Sequence, residues 1–169
     1  MRRSTMVAIM RGHLMRITRS VLAIILAIPL QSQVRPASAS KPQSSIVYIN
    51  REYGFRFALP RSWKGYSVTV KRTEGDFAKV MPAYITIRNA HWTQQEPYED
   101  IPIMVFAAGQ WPKVADETIS VSAAPFPPQE LGRNKRYVFA LPARYNYDFS
   151  TGYEEVDKIM GSKPLQGFE

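Results

Sequence analysis

Apolar and polar residues alternate with a period of two along most of the chain after residue 45. Successive side chains of a β-strand point to opposite faces, so this period predicts strands with one buried face and one polar face. The stretches that show it most clearly are residues 55–59, 66–70 and 84–88. Residues 103–107 and 137–141 are apolar throughout, which predicts two central strands in a sheet that is covered on both faces.

The residues after position 150 change to helical spacing, which supplies a cover for the sheet. Their apolar positions share one helical stripe, made of Tyr153, Val156, Ile159 and Met160. Thr151 and Glu154 have the spacing of a capping box. Glu154 and Glu155 suit the positive end of the helix dipole, and Gly161 suits the helix end. We therefore expect a C-terminal helix that docks on the sheet.

A second short helix is predicted around Pro112, because proline is favoured at the first helical position. This helix would turn Trp111, Val114 and Ala115 toward the core, although the proline is equally compatible with a loop. Glycine, proline and asparagine residues separate the strands at short intervals. The sequence thus predicts an α+β fold with a mainly antiparallel sheet, packed by the C-terminal helix and by the second short helix.

The first 39 residues have the pattern of an export signal. A basic segment without acidic residues precedes the apolar run at 21–30, and Ala37, Ser38 and Ala39 give the small-x-small pattern of a cleavage site. The apolar run holds ten residues, whereas a membrane-spanning helix needs about 20. We expect cleavage between Ala39 and Ser40, with Met1 or Met15 as the start codon. Residues 40–45 would then be a polar, disordered run-in, and residues 46–169 a single domain.

Removal of the leader changes the charge of the chain. The whole sequence has a net charge of +8, but residues 1–39 hold six of the 22 basic residues and none of the 14 acidic ones, which leaves a net charge of +2. The basic character that is typical of nucleic-acid binding therefore belongs to the leader. The absence of cysteine excludes disulfides, a thiol nucleophile and a lipid anchor. We expect an exported protein, periplasmic or extracellular, that meets the membrane only through its signal peptide.

Residues 53–63, YGFRFALPRSW, resemble the opening of PsbP-like domains, in which an aromatic-Gly-Phe strand runs into a Leu-Pro turn and a tryptophan. The resemblance implies an α-β-α sandwich and an exported accessory protein without catalysis of its own. The phrases ITIRNAHW, DIPIMVF, LGRNKRYVFALPARYNYDF and GYEEV are similar to a family of short exported bacterial proteins of uncharacterised function. That similarity implies a location and a fold, but no chemistry.

The densest aromatic segment is a candidate binding surface. It contains Arg144, Tyr145, Tyr147 and Phe149, followed by Tyr153. Exposed aromatic rings can stack on sugars or anchor a partner protein, and Trp92 offers a further ring of this kind. The alternative is structural, because Tyr145, Tyr147 and Phe149 have the period-two spacing of one strand face, and Tyr153 falls on the helix stripe.

His91 is the only histidine after the leader, so any imidazole chemistry must use it. Glu96, Glu99 and Asp100 follow it in what we predict to be a loop. These residues would form the site of a hydrolase or hold a divalent ion, but their spacing matches no tight metal motif, and we expect no metal and no cofactor. The alternative is a solvated loop. Adjacent carboxylates such as Glu99 and Asp100 diverge, which argues against a glycosidase pair.

Three function classes therefore stay open. The first is an exported soluble accessory or binding protein that acts by surface contact with an envelope protein or a glycan. The second is a small exported hydrolase that uses His91 with nearby carboxylates. The third is a carbohydrate-binding module that uses exposed tyrosine and tryptophan rings. No nucleic-acid partner is expected in any of the three.

Overall fold

The computed structural model describes residues 45–145, 148 and 150–169, in which it places eight strands and two α-helices. The strands are β1 (Ile46–Asn50), β2 (Phe55–Leu59), β3 (Ser67–Arg72), β4 (Ala83–Arg88), β5 (Ile101–Ala107), β6 (Gln129–Arg133), β7 (Tyr137–Leu141) and β8 (Leu165–Gly167). The helices are α1 (Trp111–Ala115) and α2 (Tyr153–Gly161). The predicted leader, its cleavage site and residues 40–44 of the run-in lie outside the described residues, as do Tyr147 and Phe149.

The larger sheet contains the two strands that are apolar throughout. It has five strands in the order β3-β4-β5-β7-β6, and every neighbouring pair is antiparallel. β5 is the middle strand, with its first six residues buried, and the last four residues of β7 beside it are buried as well. The prediction that these two stretches form interior strands is confirmed, with β5 beginning two residues earlier, at Ile101.

Both faces of the five-stranded sheet bury apolar side chains. Val105 and Phe139 are paired across β5 and β7 and belong to the main hydrophobic core, which also contains Val156 of α2. Phe106 and Val138 point to the other face and join Trp111 of α1 in a second, smaller cluster. Residues 105–106 and 138–139 therefore bury side chains on both faces of the sheet, which is why their sequence shows no alternation.

The smaller sheet has three strands in the order β1-β2-β8. Its middle strand, β2, shows the predicted alternation, since Phe55, Phe57 and Leu59 are buried while Arg56 is exposed. The buried side chains of β2 lie in the main core, together with those of β4, β5 and α2. The smaller sheet and α2 therefore cover one face of the larger sheet, and α1 covers part of the other face.

The helices agree with the predicted stripes except at their ends. Val156 and Ile159 of α2 are buried, and the helix ends at Gly161 as expected. The predicted capping box is wrong: Gly152, with φ of +85°, occupies the N-cap position in place of Thr151. In α1, Trp111 and Val114 are buried as predicted, but Ala115 is exposed, because a helix of five residues brings only one narrow stripe to the sheet.

The α+β fold class with antiparallel sheets is confirmed. The finer assignment to a PsbP-like sandwich stays a prediction. The period-two spacing of Tyr145, Tyr147 and Phe149 predicts that they share one face of a strand. Of these three residues the structure describes Tyr145, and for Tyr145 the prediction is wrong. Tyr145 lies in a turn after β7, in which its backbone N–H donates to the carbonyl of Pro142 over 3.2 Å.

Candidate functional site

A polar pocket of about 280 Å³ lies where the end of β7 passes the start of β5. The chain around Glu99 is fixed by a hydrogen bond of 2.8 Å from its backbone N–H to the carbonyl of Thr151, just before α2. β4 contributes Tyr84 and Thr86, which lie on the strand face opposite the buried Ile85 and Ile87. The lining residues are Tyr84, Thr86, Glu99, Asp100, Pro102, Pro142, Arg144, Tyr145, Asp148 and Ser150. Hereafter we call this space the polar pocket.

The polar pocket unites residues from both predicted sites. Arg144 and Tyr145 come from the aromatic segment, whereas Glu99 and Asp100 come from the loop after His91. These pairs are more than 40 positions apart in the sequence. They meet because β5 and β7 are antiparallel neighbours, so the chain entering β5 and the chain leaving β7 lie at the same end of the sheet.

Asp100 is held by an arginine on the neighbouring strand. Nε and Nη2 of Arg88 donate to its two carboxylate oxygens over 3.0 and 2.7 Å, a bidentate arrangement that fixes the carboxylate in one orientation. The guanidinium group of Arg88 also lies 3.8 Å from the ring centroid of Trp92. One face of the Trp92 ring is therefore covered, and Trp92 does not line the polar pocket.

Tyr145 forms a neutral wall of the polar pocket. Its hydroxyl group donates to Oδ1 of Asp157 on α2 over 2.9 Å. Burial, the hydrogen bond to Asp157, and the charges of Asp157 and Glu99 raise the pKa of Tyr145 to about 12. Burial, followed by the charge of Asp100, also raises the pKa of Tyr84. Both phenols are therefore protonated at neutral pH and present a ring and a hydroxyl group rather than a charge.

The other predicted site residues lie elsewhere. Glu96 is exposed in a turn, where its backbone N–H donates to Oγ1 of Thr93 over 2.9 Å. The exposed ring of His91 lies 6.4 Å from the ring of Tyr98, between centroids. His91, Glu96 and Asp100 therefore do not form the single site that the sequence predicts for a hydrolase or a divalent ion. Within residues 45–145, 148 and 150–169, no group of three or more histidine, aspartate or glutamate side chains is placed to hold a metal ion.

A second polar cluster, which the sequence analysis did not predict, surrounds Glu155 of α2. Its carboxylate accepts hydrogen bonds from Oγ of Ser62 over 2.5 Å, from the hydroxyl of Tyr98 over 2.7 Å and from Nε1 of Trp63 over 3.2 Å. Trp63 is fully buried, and its ring packs edge-to-face on that of Tyr98. The sequence suggested only a helix-dipole role for Glu155, because its three donors come from two distant segments.

The electrostatics of the Glu155 cluster follow from these donors. Burial alone would raise the pKa of Glu155, but the hydrogen bonds from Ser62, Tyr98 and Trp63, with the nearby charge of His91, outweigh burial and lower it. Burial and then the bond to Glu155 raise the pKa of Tyr98 to about 12. Glu155 is therefore an ionised acceptor and Tyr98 a protonated donor over the whole neutral range.

Comparison of the chain with protein-family models, with curated proteins and with solved structures found no match. A search of the described residues for a helix long and apolar enough to cross a membrane likewise found none.

Proposed function

We propose that this chain is an exported binding protein that recognises a hydroxyl-rich ligand, of the kind an envelope glycan presents, and performs no reaction on it. The observation that carries this proposal is the polar pocket. Two acidic residues, Glu99 and Asp148, line one space of about 280 Å³ together with Arg144 and Tyr145.

The chemistry of a sugar matches these groups. Sugar hydroxyls donate to carboxylates and accept from guanidinium groups, while the C–H face of a sugar ring packs on an aromatic ring. Small-ligand sites combine an apolar wall with a few polar groups that fix orientation, and the polar pocket offers Tyr84 and Tyr145 as walls. An exported protein would meet such ligands in the cell envelope.

Calorimetric titration with soluble envelope glycan fragments tests the proposal. Glu99→Gln removes the charge of one acceptor while keeping its shape, so we expect a loss of affinity of about tenfold or more, as for a hydrogen bond to a charged group. Asp76→Asn is the matched control, since Asp76 is an exposed carboxylate outside the pocket that pairs with Lys79. Glycan binding that is unchanged in Glu99→Gln, or no binding of any fragment, contradicts the proposal.

The second candidate is the hydrolase that uses His91, and one observation favours it. The carboxylate of Glu155 accepts hydrogen bonds from Ser62 and Tyr98, and the ring of His91 lies 6.4 Å from that of Tyr98, so a hydroxyl, a carboxylate and an imidazole lie in one region. Catalysis would require the imidazole to bond directly to the hydroxyl or to the carboxylate. Among the hydrogen bonds of the described residues, the imidazole of His91 has no such bond.

His91→Ala distinguishes the two candidates. A binding protein should keep its fold and its biological activity, with a loss of less than about 1 kcal/mol in the free energy of unfolding, as for most surface substitutions. Unfolding is followed by circular dichroism, and activity by complementation of a deletion strain. A variant that folds normally but fails to complement would support the hydrolase.

A further inference from the structure

The outer face of the three-stranded sheet carries exposed apolar side chains. β1 alternates, so that Ile46 and Tyr48 are half-buried against the core while Val47 and Ile49 are 47% and 53% exposed. Ile49 also lines a surface depression of about 440 Å³ together with Arg51, Arg56 and Phe168. Val47 and Ile49 are neighbours on one strand face, so their exposure forms a continuous apolar strip.

The same strand has a free backbone edge within the described part of the chain. β1 pairs with β2 on one side, and the order β1-β2-β8 leaves it at the end of the sheet. Every second N–H and C=O group of an edge strand points away from the sheet, which makes the edge a template for a further strand. An apolar strip beside a free edge is the arrangement with which proteins bind extended peptides.

The charge around the strip selects the partner. Arg51 and Arg56 lie beside Ile49, and none of the described residues that line the depression they share is acidic. Nε of Arg56 donates to Oε1 of Gln166, a neutral acceptor, over 2.9 Å, and within the described part of the chain Arg56 forms no ion pair. Glu52 is turned to Arg72, with which it forms an ion pair. An acidic partner would complement the positive charge of these two arginines.

We propose that β1 is a docking strand for an extended, acidic segment of a partner protein. The segment adds to the free edge of β1, places apolar side chains beside Val47 and Ile49, and directs a carboxylate toward Arg51 or Arg56. Backbone hydrogen bonds give affinity in this mode, and alternate side chains give specificity. This surface is separate from the polar pocket, so its failure would leave the proposed glycan binding untouched.

The probe is a synthetic extended peptide of the length of β1, with valine at alternate positions and aspartate at one end. We expect it to bind the exported protein, with amide NMR shifts in residues 46–50. Ile49→Asp should weaken binding about tenfold or more, as the loss of a central apolar contact does. Phe77→Asp is the control, because Phe77 is also an exposed apolar side chain but lies outside β1. Thermal unfolding verifies that both variants are folded.

Two further experiments test the charge of the peptide and its backbone hydrogen bonds to β1. A peptide with lysine in place of aspartate should bind about tenfold more weakly to the native protein, and Arg51→Glu combined with Arg56→Glu should reverse this preference. N-methylation of the peptide amides that face β1 should abolish binding, whereas N-methylation of the opposite edge should not. Absence of binding, or binding that ignores Ile49→Asp, charge or N-methylation, overturns the proposal. A concentration-dependent dimer that Ile49→Asp disrupts would identify a second copy as the occupant and also overturn it.

Discussion

Glu155 is the residue whose environment differs most from what its sequence position indicates. A glutamate in the first turn of a helix ordinarily contributes through the helix dipole. Here its carboxylate accepts hydrogen bonds from Ser62, Trp63 and Tyr98, so one side chain of α2 holds the segment after β2 and the segment before β5. Sequence reasoning could not find this contact, because no local spacing relates Glu155 to its donors.

The lowered pKa of Glu155 predicts a dependence of stability on pH. A carboxylate with a lower pKa in the folded state stabilises the fold above its unfolded pKa, and this contribution is lost as the pH falls through the folded pKa. Glu155→Gln should therefore lower stability at neutral pH by about 1 to 3 kcal/mol, because an amide N–H₂ then faces a donor. The variant should also lose less stability than the native protein as the pH falls below 5, because it lacks this carboxylate.

Urea unfolding at a series of pH values measures both effects. Glu154→Gln is the matched control, since Glu154 is the adjacent residue of α2 and is exposed. Glu154→Gln should leave the stability at neutral pH, and the loss of stability below pH 5, close to those of the native protein. Equal curves for the two variants would show that the Glu155 cluster does not stabilise the fold.

At the scale of elements, the start of α2 depends on a glycine. Gly152 has φ of +85°, a left-handed conformation that L-residues adopt only with strain, and a Cβ atom there would collide with the ring of Tyr98. The left-handed conformation costs about 1 to 2 kcal/mol for other residues, and the added atom about 1 to 3 kcal/mol as overpacking. We therefore expect Gly152→Ala to lower the free energy of unfolding by about 2 to 5 kcal/mol.

Gly109→Ala is the control for this prediction, because Gly109 has open space where a Cβ atom would lie and no positive φ. Chemical denaturation of the two variants gives the difference directly. Similar midpoints would show that Gly152 is not required at the start of α2.

The two apolar strands allow a test of both faces of the larger sheet. Phe139 lies in the main core and Phe106 in the smaller cluster under α1, and both are fully buried. Truncation to alanine should cost about 3 to 5 kcal/mol at either position, as large-to-small substitutions in cores do. Phe77→Ala, at a position 38% exposed, should cost far less. A near-native unfolding midpoint for Phe106→Ala would show that the face under α1 contributes little to stability.

The elements were more predictable from the sequence than the site. Alternation located β2 and β4, and uniform apolarity located β5 and β7, because each pattern reports directly which faces of a strand are buried. Some residues of the polar pocket could be predicted from the sequence, but their meeting in one pocket could not. Glu99 and Tyr145 were identified as candidates for separate sites, but their meeting depends on the order β5-β7 in the sheet, which periodicity does not encode.

At the scale of the whole molecule, the two surfaces that we propose as binding sites belong to different parts of the fold. The polar pocket lies at one end of the larger sheet, among β4, the start of β5 and the chain after β7. The docking strand β1 belongs to the smaller sheet, and its outer face points away from the core that joins the two sheets. Because the two surfaces share no residue, a protein of this fold could hold a glycan and a partner protein at the same time.

The proposed glycan ligand belongs to the cell envelope and would require export, so the last prediction concerns processing. The small-x-small pattern constrains Ala37 and Ala39 but leaves the middle residue free. We expect N-terminal sequencing of the exported protein to begin at Ser40. Ala39→Phe should retain the leader, whereas Ser38→Phe, the adjacent control, should be processed normally. The mature form should also be far less basic, because the leader carries six of the 22 basic residues. Recovery of both variants and the native protein with an N terminus at Met1 or Met15 would contradict the export prediction.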